Sequence, residues 1–220
     1  MKKPYIFFDF DGTVLNTNEI IIASWKATSM HYTGKEKTRE EILRTFGETI
    51  RYTAGQWFPD VPVEESIEYY RLYQEANCDG MVKVFDGIEA VIDELRERGH
   101  RVALVTSRTR ATSTAYLKQF GLYDKFDVFI ACEDAVKHKP DPEPLLNAIE
   151  RMERLVGHSI SKDECLMIGD TQFDIGCGNN AGVEAVLVEW AHPIYEDRFE
   201  ALGAKPDYRI AEPKELLEIV

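Results

Sequence analysis

The sequence has no long hydrophobic run and few cysteines. Hydrophobic residues make up 44% of the 220 residues, but no apolar run approaches the ~20 residues that a membrane-spanning helix needs. The four cysteines are scattered and form no CxxC pair. The N-terminal residues 1–4 lead almost at once into an apolar segment, which leaves no room for a signal peptide. We therefore expect a cytoplasmic protein with reduced thiols and no membrane partner.

The sequence also lacks an excess of basic residues. Lysine and arginine number 26 against 39 aspartates and glutamates, and the formal net charge is -13. This balance argues against nucleic acid as a substrate or partner. A small anionic substrate stays open, because a metal ion and one or two lysines can reverse the sign locally. Nothing in the sequence predicts an oligomeric state.

Several common catalytic motifs are missing as well. The sequence contains neither a GxSxG elbow nor a P-loop, which argues against a serine hydrolase and against a nucleoside-triphosphate-binding protein. The five histidines have no paired spacing, so a zinc site is not expected.

The most informative segment that is present covers residues 5–14, YIFFDFDGTV. Its apolar part predicts a buried parallel strand. Asp9 and Asp11 follow at the C-terminal end, where open α/β sheets bind their ligands. Carboxylates cannot stay charged in a dry core without a cation. The segment therefore predicts a site for a divalent metal, alone or together with a substrate phosphate.

Four further segments predict strands, and each follows a predicted helix. The strands are expected at residues 101–107, 126–131, 164–170 and 184–190. The helices are expected at 88–97, before Gly121, at 142–156 and before Gly182. This alternation predicts an α/β fold, a Rossmann-like three-layer core with a central parallel sheet.

Residues 17–83 break that alternation. They contain helical patterns at 19–32, 39–46 and 63–77 but no convincing strand, and the excursion is far longer than an ordinary loop. We predict an all-helical cap at 17–83 inserted into a catalytic core made of 1–16 and 84–220. Its aromatic residues are expected to form the core of the cap, with a substrate-stacking platform as the alternative.

Other strand ends also carry polar residues. Thr106 and Ser107 follow the second strand, and Asp170 and Asp174 follow the fourth. Lys139 lies after the third strand in a loop stiffened by three prolines. Taken singly, Thr106 suits a helix N-cap, Asp174 a cap and Lys139 a solvated loop. Their arrival in order at successive strand ends instead indicates one site.

This set of residues resembles the haloacid dehalogenase superfamily, in its Mg2+-dependent phosphatase branch. Asp9-Phe-Asp11-Gly-Thr-Val is similar to the first motif, Thr106 to the second, Lys139 to the third, and Gly-Asp170-Thr-x-x-Asp174 to the fourth. The insertion also falls where members with a small helical cap carry theirs. The KPDPEP run and the segment 178–182 most resemble phosphoglycolate phosphatases and related pyrophosphatases, although Asn16 stands where many relatives have an acidic residue.

The resemblance implies a role for each residue. Asp9 would be the nucleophile that forms an aspartyl-phosphate, and Asp11 the general acid and then the base. Mg2+ would be held by the Asp9 carboxylate, the Asp11 backbone carbonyl and the Asp170 carboxylate. Asp174 would act from farther out or through a water.

Three residues would then bind the phosphoryl group of a small-molecule substrate. They are the Thr106 hydroxyl, the Ser107 backbone N–H and the Lys139 ammonium.

Three alternatives stay open. A sugar phosphomutase of the same superfamily would carry a Gly-x-x-Arg element in its cap, whereas Gly47 and Arg51 are one residue too far apart. The dehalogenase branch lacks the second aspartate, which is present here as Asp11. A non-catalytic regulatory binding protein would not need both Asp9 and Asp11. The sequence does not identify the phosphorylated substrate.

Overall fold

The computed structural model describes residues 3–220. It divides the chain into two compact units. The core unit comprises the residues up to Leu15 together with Val84–Val220, and the helical unit comprises Asn16–Lys83. The predicted assignment of residues 17–83 as a cap over the catalytic core stays a prediction.

The strands are β1 (Tyr5–Phe8), β2 (Leu15–Asn16), β3 (Lys83–Val84), β4 (Arg101–Val105), β5 (Val128–Ile130), β6 (Cys165–Gly169), β7 (Glu184–Val188) and β8 (Tyr208–Ile210). Six of them form a parallel sheet in the order β5-β4-β1-β6-β7-β8. Strands β2 and β3 form a separate two-stranded sheet. The central strand β1 is buried along its whole length, which is typical of a parallel sheet covered on both faces.

Helices flank this sheet. The helices of the core unit are α5 (Ile88–Glu97), α6 (Arg110–Gln119), α7 (Glu143–Val156), α8 (Gln172–Ala181), α9 (Glu196–Leu202) and α10 (Leu216–Ile219). Helices α7 and α8 pack on one face, where Met152 and Cys177 share a buried cluster with Phe7 and Met167. Side chains alternate along a strand, so Phe8 points to the opposite face, where it is fully buried. The predicted Rossmann-like α/β fold with a central parallel sheet is confirmed.

The helical unit contains α1 (Asn18–Thr33), α2 (Arg39–Leu43), α3 (Ile50–Trp57) and α4 (Val63–Asn77). Its interior is built around Trp25, whose ring centroid lies 4.6 Å from that of Tyr70, 5.1 Å from that of Trp57 and 6.4 Å from that of Phe58. Trp25, Phe58 and Tyr70 are all buried. These aromatic residues form the interior of the unit, as expected.

The predicted strands begin within two residues of the observed ones but were drawn too long at their C-terminal ends. Residues such as Thr106 and Asp170 follow the strands and belong to the loops that carry the site. The sequence interpretation missed several short elements, namely β2, β3, β8, α3, α9 and α10. No helix among residues 3–220 combines the length and the apolarity that crossing a bilayer requires.

Candidate active site

The parallel register brings three predicted site residues to one edge of the sheet. Phe8 pairs with Leu104 on β4 and with Ile168 on β6, so the residues that follow these strands emerge side by side. The Asp9 N–H still donates to the Ile168 carbonyl at 2.8 Å. Asp9 therefore leaves the sheet between the loop that begins with Thr106 and the loop that begins with Asp170.

The Lys139 ammonium lies at the centre of this edge. Its Nζ atom donates to Oδ1 of Asp9 at 2.7 Å, to Oδ1 of Asp174 at 2.6 Å and to the Val105 carbonyl at 2.7 Å. Burial by itself would lower the pKa of Lys139, but the charges of Asp174 and Asp9 outweigh it and hold that pKa well above its usual value. Lys139 is thus a charged, buried residue with three acceptors.

Three buried carboxylates gather around this ammonium. Asp9, Asp170 and Asp174 each offer an oxygen, and these atoms lie within 4.8 Å of one another. Burial raises the pKa of Asp9 well above its usual value, and the neighbouring carboxylates add to this while Lys139 opposes it. Clustered carboxylate oxygens with an excess of negative charge are the donors that Mg2+ prefers. The residues therefore fit the predicted metal.

Both carboxylate oxygens of Asp174 accept hydrogen bonds. Its Oδ1 faces Lys139, while its Oδ2 accepts hydrogen bonds from the Thr171 N–H at 3.1 Å and the Thr171 hydroxyl at 2.6 Å. These bonds cap the N-terminus of α8. The Asp174 side chain also packs so closely on Gly169 that a Cβ atom there would overlap it. Asp174 therefore caps α8 and also lies in the carboxylate cluster, and its role toward a metal stays a prediction.

The turn after β1 requires glycine at position 12. Gly12 has φ +81°, and a Cβ atom on it would overlap the Asp170 carboxylate. The next residue, Thr13, donates from its hydroxyl to Oδ1 of Asp170 at 3.4 Å. The Asp170 side chain therefore packs directly on the backbone of this turn, and only glycine at position 12 leaves room for that contact.

Sequence reasoning missed His192, which contacts the carboxylate cluster. Its Nε2 lies 2.9 Å from Oδ2 of Asp170 and its Nδ1 lies 2.9 Å from the Pro193 carbonyl. Both partners are acceptors, so both ring nitrogens carry a proton when both bonds form. Burial lowers the pKa of His192, but the bond to Asp170 outweighs it and the pKa is raised overall.

Sequence reasoning also missed Arg108, the partner of Asp11. The Arg108 guanidinium forms a bidentate contact with this carboxylate: Nη2 donates to Oδ1 at 2.8 Å and Nε donates to Oδ2 at 2.9 Å. The Arg108 backbone N–H donates to the Thr106 hydroxyl at 3.1 Å. Ser107 lies between them and is half-buried. One feature of the sequence could have indicated this pairing: a basic residue stands two positions after Thr106, which itself directly follows a strand.

The structure therefore places the predicted residues in two groups. Asp9, Lys139, Asp170 and Asp174 form the buried cluster, and Asp11 and Thr106 meet at Arg108. The core unit contributes all of these residues. This arrangement can hold a divalent cation beside a carboxylate that is already paired with an ammonium, which is what transfer of a phosphoryl group to that carboxylate requires.

Comparison with known proteins places this site in a family. Residues 6–188 match the family of haloacid dehalogenase-like hydrolases. The chain is 34% identical over 220 residues to the pyrophosphatase PpaX of Bacillus mycoides, covering 100% of this chain and 98% of the relative. It is also 34% identical over 222 residues to the pyrophosphatase PpaX of Halalkalibacterium halodurans, with the same coverage.

Solved structures agree with these relatives. A haloacid dehalogenase-like hydrolase from Bacteroides fragilis superimposes with a TM-score of 0.82 at 25% identity, covering 98% of this chain and 100% of the other. A predicted phosphatase from Clostridium acetobutylicum gives a TM-score of 0.80 at 25% identity, with 100% and 98% covered.

Proposed function

Since this chain belongs to the haloacid dehalogenase-like hydrolases and is a phosphatase, we propose that it is Mg2+-dependent and hydrolyses a small phosphorylated metabolite through an aspartyl-phosphate. The substrate would be pyrophosphate or a compound like phosphoglycolate. The observation that carries this proposal is the buried contact of Asp9 with Lys139. Carboxylate oxygens of Asp170 and Asp174 lie within 4.8 Å of an oxygen of Asp9. Its predicted cytoplasmic location stays a prediction.

Asp9 would attack phosphorus, forming a new O–P bond while the bond to the leaving oxygen breaks. A carboxyl must be ionised to do so, although burial raises the pKa of Asp9. The Lys139 ammonium at 2.7 Å opposes that rise. Mg2+, held by Asp9, Asp170 and the Asp11 carbonyl with Asp174 nearby, would supply the remaining positive charge.

Asp11 would protonate the leaving oxygen and then take a proton from the water that hydrolyses the aspartyl-phosphate. The Thr106 hydroxyl and the Ser107 N–H would bind oxygens of the phosphoryl group. Lys139 would hold Asp9 in place through both steps, because its other two bonds anchor it to the Val105 carbonyl and Asp174.

Hydrolysis is favoured over transfer to a sugar. The Arg51 guanidinium, the residue that a phosphomutase-like element would use, pairs with Glu64 of the same helical unit at 2.6 Å. A mutase must also protect its phospho-enzyme from water. With Asp11 as the base, water would instead hydrolyse the phospho-enzyme.

A phosphate-release screen tests the proposal. The purified chain would be assayed with pyrophosphate, phosphoglycolate, sugar phosphates and nucleoside monophosphates, with Mg2+ and after chelation. We expect release from pyrophosphate or phosphoglycolate that disappears on chelation and returns with Mg2+. Full activity after exhaustive chelation, or a phospho-enzyme that discharges only onto a sugar phosphate, would overturn it.

A further inference from the structure

The contact between Arg108 and Asp11 occupies the residue that the proposed mechanism needs as an acid. Both Asp11 oxygens accept N–H groups of the guanidinium, at 2.8 and 2.9 Å. With both of its oxygens bound to the guanidinium, this carboxyl group has no oxygen left to contact a leaving group. The observed arrangement is therefore a resting arrangement, and the pair must separate before Asp11 can protonate a leaving oxygen.

Arg108 is held in place by contacts other than Asp11. Its backbone N–H donates to Thr106, and its carbonyl accepts from the Cys132 N–H at 3.0 Å. Its guanidinium lies 5.4 Å from the ring centroid of Tyr116. Only 10% of the Arg108 side chain is exposed, against 26% for Asp11. Since the Arg108 side chain is the more buried of the two, we expect the carboxylate to move when the pair separates.

A planar guanidinium that has lost its carboxylate needs another anion of the same shape. Phosphate and carboxylate groups can both accept two parallel N–H bonds from the planar guanidinium, whose paired N–H groups we call the fork. The Thr106 hydroxyl, which would bind the transferred phosphoryl group, bonds to the backbone of Arg108 itself. A second anionic group on the leaving part of the substrate would therefore lie within the reach of the Arg108 fork.

We propose that Arg108 binds this second anionic group, and that its binding displaces Asp11 from the guanidinium and so completes the acid. The inference rests on the proposed phosphatase function and narrows its substrate class to compounds with two anionic groups, such as pyrophosphate. The released Asp11 can then reach the leaving oxygen and protonate it, as in the proposed mechanism. In the same step the O–P bond to Asp9 forms and the bond to the leaving oxygen breaks.

Substrates with and without the second anion test this inference. Pyrophosphate and phosphoglycolate carry it, whereas p-nitrophenyl phosphate does not. The readout is the ratio of kcat/KM for pyrophosphate to kcat/KM for p-nitrophenyl phosphate. We expect Arg108→Ala to lower this ratio at least about 30-fold, the loss of one charged hydrogen-bonded contact, chiefly through a higher KM for pyrophosphate. Arg108→Lys, which keeps the charge but not the fork, should fall between.

Arg110→Ala provides the matched control. Arg110 is two residues further along and pairs with Asp134, so its removal should leave the ratio within about twofold of the wild type. A ratio for Arg108→Ala within about threefold of the wild type would overturn the inference. If the wild type releases phosphate from none of the three substrates with Mg2+, the proposed function itself fails, which is a different result.

A crystal structure of the wild type with Mg2+ and imidodiphosphate needs no variant. We expect an oxygen of the second phosphoryl group on the Arg108 guanidinium and the Asp11 carboxylate displaced from it. An unchanged two-nitrogen pair between Arg108 and Asp11 with the ligand bound would contradict the inference.

Discussion

Gly12 and Asp170 are so close that any side chain at position 12 would overlap the Asp170 carboxylate. The first loop of the site and the carboxylate after β6 are therefore matched in shape, although the two residues are 158 positions apart in sequence. Gly12 also needs its positive φ of +81°. The two requirements can be separated by experiment.

The first prediction concerns Gly12→Ala against Gly157→Ala. Gly157 ends α7 with φ +79°, and a Cβ atom there would meet nothing within 4 Å. Gly157→Ala should cost only the backbone strain, about 1–2 kcal/mol in the free energy of unfolding. Gly12→Ala should cost at least about 1 kcal/mol more, because the overlap with Asp170 adds to the strain. Urea unfolding of both variants measures this, and equal losses would contradict the steric account.

The second prediction concerns the buried ammonium. Lys139→Met leaves Asp9 and Asp174 without their shared cation, and we expect the metal-free protein to lose about 3–5 kcal/mol in the free energy of unfolding. Added Mg2+ should recover part of the loss. Lys137→Met is the control in the same loop, because Lys137 is 70% exposed and makes a surface pair with Asp141; it should cost about 1 kcal/mol or less. A comparably small loss for Lys139→Met would refute the structural role of the ammonium.

The third prediction is that stabilisation by Mg2+ grows with pH. The pKa values of Asp9 and Asp170 are raised, chiefly by burial, so protons compete with the metal for these oxygens. The raised pKa of His192 also makes the effect of Mg2+ larger at high pH. The bond of the protonated His192 ring to Asp170 stabilises the metal-free fold fully below pH 6.5, the ordinary pKa of histidine. That contribution is lost as pH rises through the raised value.

Differential scanning fluorimetry at pH 6 and pH 8.5, with and without Mg2+, checks the third prediction. The shift in Tm caused by Mg2+ should be larger at pH 8.5. In His192→Gln, which keeps a hydrogen-bonding side chain but cannot titrate, the difference between the two pH values should shrink. A larger shift at pH 6 would show that protons and metal do not compete here.

The fourth prediction concerns the thiols. Burial raises the pKa values of Cys165 and Cys177 to about 12 in each case, so almost no reactive thiolate exists near neutral pH. Cys78 and Cys132 are only half-buried. At pH 8 we expect two thiols to react with a disulfide reagent in the native protein and the other two only after unfolding. Mass spectrometry of the labelled peptides identifies them, and fast labelling of Cys177 would contradict the prediction.

How far the sequence predicts this site depends on where each residue lies in the sheet. Asp9, Thr106 and Asp170 directly follow strands, and strands that read as apolar runs in a parallel sheet must deliver them to one edge. Lys139 was placed there only by its position in a loop after the third strand. Its three acceptors depend on the path of that loop, which hydrophobic periodicity does not encode.

His192 and Arg108 show the limit of such reasoning. His192 follows β7, a strand that does not neighbour β1, and it reaches Asp170 because of the course of a loop rather than a pattern. Arg108 could have been noticed because Asp11 needed a cation, yet a lone arginine in a loop is usually solvated. Strand β8 was missed because its burial is limited to Ile210, and a short edge strand is defined by its neighbour more than by its own composition.

The nucleophile is the central claim, and phosphate release by Asp9→Asn tests it most directly. The substitution keeps the shape of the side chain but removes the charge that would attack phosphorus. Asp60→Asn, at an exposed position of the helical unit, is the control and should retain wild-type activity. With saturating Mg2+ and pyrophosphate, we expect kcat for Asp9→Asn to fall at least about 1000-fold, some 4 kcal/mol of barrier. Retention of more than about a tenth of the wild-type kcat, a barrier change under ~1.4 kcal/mol, would contradict the account.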